Sequence, residues 1–209
     1  MRALIFLNGQ LPPIGLINNF KGKDSFVIAA DGGANALVAT KIVPDLIIGD
    51  LDSVKKKTLS YFQKKKTRII SISEQETTDF EKCLNYCKSN GYSEVIVFGA
   101  ISMRPDHTLN NYSILKKFHK RLTLKIVTDE FEILFINRKI SFEYRKGEIV
   151  SLMALPSARN IITKGLEFPL KNESLEFGVR EGTLNRSVSE NISISFRKGS
   201  LLLFKKHFI

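Results

Sequence analysis

Tryptophan is absent from this 209-residue chain, histidine occurs three times and cysteine only twice. Two cysteines are too few for an iron–sulfur cluster or a disulfide framework, and no histidine lies near them at zinc-finger spacing. Cys83 and Cys87 lie in TTDFEKCLNYCKSN, where Phe80, Cys83, Leu84 and Cys87 fall at i, i+3, i+4 and i+7. That is the inward stripe of an amphipathic helix, so core packing is expected for both thiols. No apolar run approaches the roughly 20 residues that cross a bilayer. The opening MRALIFLNGQ carries one arginine and five successive apolar residues. That is short for a signal-peptide core and reads as a first strand, so a cytoplasmic location is the expectation. Phosphate-binding fingerprints are missing too. No dinucleotide motif occurs, and Gly22-Lys23 is followed by Asp24 with Gly15 too distant for a Walker loop. A bound phosphate would have to be held through metal and isolated cations.

Negative charge is scarce overall: 32 Lys and Arg face 21 Asp and Glu, a net +11. Such a balance suits an anionic partner, whether nucleic acid, an acidic surface or a phosphate-bearing small molecule. The densest runs, Lys55–Lys57 and Lys64–Lys66, flank Leu59, Tyr61 and Phe62 and read as the wet face of one helix. No zinc-finger spacing or RNP-type aromatic motif speaks for nucleic acid.

What is present falls into two rhythms. Up to about residue 128, short Ile/Val/Leu runs (RALIFLNG, SFVIAADGG, DLIIGD, TRIISIS, EVIVFGA, LKIVTD) alternate with helical patterns at Ala34–Lys41, Val54–Lys66, Thr78–Ser89 and Asp106–Arg121. This β-α alternation implies an α/β domain with a mainly parallel sheet flanked by helices. After about residue 130, turn signals recur at Lys146-Gly147, Lys164-Gly165, Phe177-Gly178, Glu181-Gly182 and Lys198-Gly199. Spacing near ten residues suits short strands in an all-β antiparallel sandwich or barrel. Two domains are expected, 1–128 and 129–209.

The few acids gather where ligands bind in such sheets, at the carboxyl ends of strands. Asp31 closes the second strand, and Asp50 and Asp52 close the third. Glu74, Glu76 and Asp79 follow the fourth, and Arg104 and Asp106 the fifth. One acid at such a junction is commonly a helix cap, which Asp106 alone could be. Asp50 and Asp52, two apart on an extended segment, are expected to leave on one face. At about 4 Å and an effective dielectric near 20 they would repel by about 4 kcal/mol, so a cation should neutralise them. A hard divalent ion suits an all-oxygen cluster, and magnesium is commonly held by one or two carboxylates plus phosphates. Gly49 lets the backbone approach closely, and Gly32-Gly33 opens a helix. Thr78-Asp79-Phe80-Glu81 has capping-box spacing, which puts Asp79 in a first helical turn.

The stretches DGGAN (31–35), PDLIIGDLDS (44–53), QETTDF (75–80) and RPDH (104–107), followed by KGLEFPL (164–170), EGTLN (181–185) and SENISISFRKGSLLLF (189–204), resemble the thiamine pyrophosphokinase family. The resemblance spans nearly the whole chain. It implies an ATP- and Mg²⁺-binding catalytic domain, a β-sandwich with thiamine-binding and dimer contacts, and a homodimer with active sites near the subunit contact. The implied reaction moves pyrophosphate from Mg-ATP to the thiamine hydroxyl and releases AMP. Asp50, Asp52 and Asp79 would hold magnesium, Arg104 would meet charge on the transferred group, and Asp106 would help place the substrate. Asp31, Gly32, Asn35, Gln75, Thr78 and Asn185 would line the nucleotide and substrate positions. Two departures stand out: Ser102-Met103 replaces glycines before the arginine, and Leu184, followed by Asn185 and Arg186, replaces a serine. A different hydroxyalkyl heterocycle such as a pterin, or a non-enzymatic nucleotide or nucleic-acid binder, are the competing readings.

Overall fold

Ala3, Leu4, Ile5 and Phe6 have no solvent exposure, and they place β1 (Arg2–Phe6) in the middle of a parallel sheet. The computed structural model describes residues 1–208 and divides into two units, Met1–Asp129 and Glu130–Phe208. In the first, β2 (Phe26–Ala30), β3 (Leu46–Gly49), β4 (Arg68–Ser71), β5 (Glu94–Phe98) and β6 (Thr123–Val127) join β1 in the order β4-β3-β2-β1-β5-β6. All these pairings are parallel. Helices α1 (Ile14–Phe20), α2 (Gly33–Thr40), α3 (Lys56–Lys64), α4 (Asp79–Ser89) and α5 (Pro105–Phe118) make the crossovers. α1 is an addition to the helices expected from periodicity; at seven residues, starting after Pro13 and turning only Ile17 and Phe20 inward, it carries too short a pattern to register. α3 buries Thr58 and Phe62 while its flanking lysines stay exposed, so the basic runs are the wet face anticipated for them.

Strand order reverses between β1 and β5, the place where a doubly wound sheet usually opens a ligand crevice. Here backbone closes it. Leu7 N–H donates to Phe98 O (2.9 Å) and Gln10 N–H to Ile101 O (2.8 Å). A Cβ on Gly9 would sit 2.3 Å from the carbonyl oxygens of both Gly99 and Ile101. The open strand ends are those of β2 and β3.

The second unit is antiparallel: β7 (Phe131–Phe135), β8 (Lys139–Glu143), β9 (Val150–Lys164), β10 (Lys171–Glu176), β11 (Asn191–Ser195) and β12 (Lys198–Lys206). β9 runs for 15 residues rather than breaking into short pieces. β11 pairs with its last residues (Ser193 with Lys164, Ser195 with Ile162), and β12 continues along the same strand from Arg159 to Val150. β11 also pairs with β8, and β12 with β7. Thus β11 and β12 act as one bent strand passing from one layer to the other, the corner that lets a sheet fold into a sandwich. Gly199 makes the corner possible: its φ is +93°, and a Cβ there would lie 1.9 Å from Ser157 O. Ala154, Ala158, Ile161, Leu175, Ile194 and Leu201 fill the core between the layers.

Cys83 and Cys87 are fully buried on α4, as their stripe requires. Burial pushes the Cys83 thiol well above its ordinary range and the Cys87 thiol to about 12. Since the thiolate is the reactive form, neither should be alkylated by iodoacetamide in the native protein at pH 7.5. Both should react once denaturant unfolds it, with mass spectrometry counting the adducts.

Candidate metal and phosphate site

Three carboxylates meet at the open strand ends. Asp31 follows β2 and is only 3% exposed. It reaches across to the loop after β3, where its Oδ2 accepts the Ser53 N–H (3.0 Å) and its Oδ1 the Val54 N–H (3.2 Å). Asp50 directly follows β3; its Oδ1 accepts the Asp52 N–H (3.3 Å) and its Oδ2 the Gln75 side-chain amide (3.2 Å). Asp79 opens α4, brought there by Thr78, the N-cap, whose hydroxyl accepts the Glu81 N–H at 3.3 Å. Each of Asp31, Asp50 and Asp79 offers an oxygen, and these oxygens lie within 4.8 Å of one another. Gly49 makes the gathering possible: a Cβ there would stand 2.7 Å from Asp31 Cβ and 3.0 Å from Asp79 Oδ1.

One cation is built in. Lys82, one turn after Asp79, is 5% exposed, and its Nζ lies 3.2 Å from Asp79 Oδ1. Burial lifts the Asp79 carboxyl above its ordinary range; the bond from Lys82 opposes this, and the charges of Asp50 and Asp31 add to it. The sign is a cost to the fold. It is absent at acid pH, where folded and unfolded chains both hold the proton, and it sets in as pH rises through the Asp79 range. At Asp50 burial pulls the same way but is outweighed by the Asp52 N–H, the Gln75 amide and the Lys82 charge, which hold its carboxyl low.

The donor set fits magnesium. All donors are carboxylate oxygens, and ligands about 2.1 Å from an octahedral ion stand about 3 to 4.2 Å apart, close to the observed spread. Three carboxylates and one ammonium leave a formal charge of two negatives, which a single divalent cation would balance.

The remaining sequence candidates divide. Asp52 is exposed, outside the triad, its carboxylate accepting the Ser53 hydroxyl at 2.7 Å. The expectation that Asp50 and Asp52 leave one face of an extended segment does not hold, because β3 stops at Gly49 and Leu51 turns left-handed with φ +67°. Gln75 touches the triad through Asp50. Asn35 clamps the loop after β3, donating to Ser53 O and accepting the Lys55 N–H, both at 3.0 Å. Gly32 stands at the N-cap of α2, where a Cβ would lie 2.6 Å from Nδ2 of the exposed Asn8 side chain. Arg104 and Asp106 are exposed and paired with each other (2.5 and 3.2 Å), and each steadies the other's charged form. Asn185, in the second unit, binds the Phe168 N–H and C=O (3.1 and 2.8 Å) and so fastens two loops. Glu74 is exposed and caps its own turn through Thr77 and Glu76. Sequence reasoning missed Lys82. The Asp79–Lys82 spacing of three was a signal, since i and i+3 are neighbours on a helix.

Fold and site together define a class: an α/β protein with three carboxylates gathered at its strand ends, followed by an antiparallel β unit. Residues 17–128 match the family described as thiamin pyrophosphokinase, catalytic domain, and residues 137–201 match thiamin pyrophosphokinase, vitamin B1 binding domain. Thiamine pyrophosphokinase 1 of Oryza sativa subsp. japonica is 28% identical, covering 92% of this chain and 83% of its own. Thiamin pyrophosphokinase 1 of Caenorhabditis elegans is 25% identical, covering 96% and 86%. Among solved structures, thiamine pyrophosphokinase from Bacillus subtilis superposes with a TM-score of 0.88 at 20% identity, covering 100% of both chains. The yeast thiamin pyrophosphokinase gives 0.83 at 22% identity, covering 99% of this chain and 86% of its own. This chain belongs to the thiamin pyrophosphokinase family. These relatives do not favour a pterin acceptor.

Proposed function

We propose that the protein is an ATP:thiamine diphosphotransferase, moving the pyrophosphoryl group of Mg-ATP to the thiamine hydroxyl and releasing AMP. The observation that carries this is the Asp31–Asp50–Asp79 triad at the strand ends of a chain of this family. Such transfer rests on positioning and charge stabilisation more than on a protein nucleophile. Magnesium held by Asp31, Asp50 and Asp79 would supply neutralisation of the phosphate oxygens. Asp52, on the exposed side of the same turn, serves as a further ligand for a phosphate-bound ion. Gln75 orients Asp50. Asn35 and Asp31 keep the Ser53–Lys55 loop in place, and Thr78 fixes the start of α4 and with it Asp79. Arg104 leaves Asp106 to meet phosphate, for an exposed guanidinium exchanges partners at little cost. Asp106 then faces the substrate. Gly32 admits the nucleotide close to backbone, and Asn185 shapes the acceptor loop of the second unit.

A homodimer belongs to the same reading. Exposed Phe168, Phe177, Val179, Leu184 and Val188 on the second unit support it, and sedimentation velocity tests it. Among the described residues no helix is long and apolar enough to cross a membrane. The deciding assay incubates the purified protein with Mg-ATP and thiamine. AMP and thiamine diphosphate should appear in equal amounts, and EDTA should stop both. AMP release with a hydroxymethylpterin and none with thiamine would sink the assignment.

A further inference from the structure

Lys82 is out of keeping with the other lysines of a chain that carries net charge +11 and displays its basic runs to water. It lies on the same helical turn as Phe80, Cys83 and Leu84, all of them buried, and its ammonium meets Asp79 Oδ1 at 3.2 Å. Its charge reaches Asp50 as well as Asp79. Burying an ammonium is costly, and an apolar side chain of similar volume would fill the position without that cost. A fold that needed only packing here would be better served by methionine. What the charge answers is the triad: without Lys82, three carboxylate oxygens within 4.8 Å would face one another with no fixed counter-charge before a metal arrives.

Resting on the reading of the triad as a magnesium seat, we propose that Lys82 is a positioning residue acting as a resident counter-cation. It holds Asp79 in ligating position in the metal-free protein and lowers the site's charge so that a divalent ion is held loosely until nucleotide phosphates complete its shell. Three carboxylates alone would bind the ion more tightly and release it more slowly. With Lys82 present, metal enters and leaves largely with the nucleotide, as suits magnesium, which keeps several waters and leans on substrate phosphates. The role concerns charge, so arginine should serve and glutamine should not, although glutamine can still donate a hydrogen bond to Asp79.

Mn²⁺ binding followed by electron paramagnetic resonance, without ATP, reads this directly. Even at the dielectric of water, a unit charge about 5 Å from a divalent ion alters its affinity more than about tenfold. Lys82→Met and Lys82→Gln should therefore bind Mn²⁺ at least about tenfold more tightly than wild type. Lys82→Arg should stay within about threefold. The metal-free Lys82→Met protein should melt below wild type, and Mn²⁺ should raise its Tm more than it raises that of wild type. If Lys82→Met folds only when Mn²⁺ is present, that supports the role as well. If it fails to fold under any condition, Lys82→Gln decides. Lys82→Gln binding Mn²⁺ no more tightly than wild type, while wild type binds it, overturns the counter-cation role alone. Wild type taking up no Mn²⁺, even with ATP, overturns the reading of the triad and this inference with it.

Discussion

Asp50→Asn is expected to lower kcat about 10³-fold, a loss of about 4 kcal/mol in transition-state stabilisation, with the fold intact. The structural reason is the division of labour at this carboxylate. Its Oδ1 accepts the Asp52 N–H, a bond that an asparagine oxygen makes equally well. Its Oδ2 accepts the amide of Gln75, which is exposed and can turn its own oxygen toward an asparagine NH₂. Neither backbone nor core has to move, so Tm should shift by no more than a few degrees. What is lost is one full charge from the triad, in a site whose work is charge stabilisation. Glu76→Gln is the control. It removes an acid from the same stretch, but Glu76 is exposed and outside the triad. Its activity should stay within about threefold. An Asp50→Asn enzyme keeping a tenth of wild-type turnover would show that Asp50 is not a ligand the reaction needs, and a Glu76→Gln enzyme as damaged as Asp50→Asn would show that net field rather than ligation sets the rate.

The contrast between these two acids marks where reading the sequence succeeds and where it stops. The parallel α/β half was readable because β1, β2, β3 and β5 are apolar runs buried on both faces, and nothing but a sheet covered by helices suits them. The capping signal at Thr78 was readable because it is local; the N-cap contact forms as its spacing implies, although Glu81 turns to Lys117 instead of completing the box. Conformation and long-range burial were not readable. Leu51 gives no hint of a left-handed φ, being neither glycine nor asparagine, so the Asp50-Leu51-Asp52 stretch read as strand. Lys82 was not singled out, because the burial of one lysine on a helix depends on packing that its neighbours in sequence do not reveal. In the second half, turn glycines located the corners, yet the continuity of β11 with β12 along β9 depends on pairings that composition does not encode. Asp31 appeared only as a pocket-lining acid. Its place in the triad comes from the parallel register that sets Ala30 beside Ile48 and so brings the ends of β2 and β3 level.

That level register also makes Gly49 a sensitive backbone position in the site, and Gly49→Ala should damage the triad directly. A Cβ at 2.7 Å from Asp31 Cβ and 3.0 Å from Asp79 Oδ1 demands that something yield. Asp31 cannot, since it is buried and held by the Ser53 and Val54 N–H groups. The strand cannot retreat either, because Gly49 is in register with Ser71 and its carbonyl accepts the Ile72 N–H at 2.8 Å. Asp79 is the remaining freedom. Pushing it away breaks the contact with Lys82 and opens the triad. Overpacking of this kind costs about 1–3 kcal/mol of stability, seen as a fall in Tm, and displacement of one ligand should lower kcat at least about 100-fold. Gly15→Ala, in α1 with nothing within 4 Å of the added methyl, should leave activity unchanged and raise Tm slightly, as alanine favours helix over glycine. Because the damage is steric, excess Mg²⁺ should restore little of the lost rate in Gly49→Ala. Full rescue by metal would mean that the three carboxylates still close around an ion, and that the methyl had found space the structure does not offer.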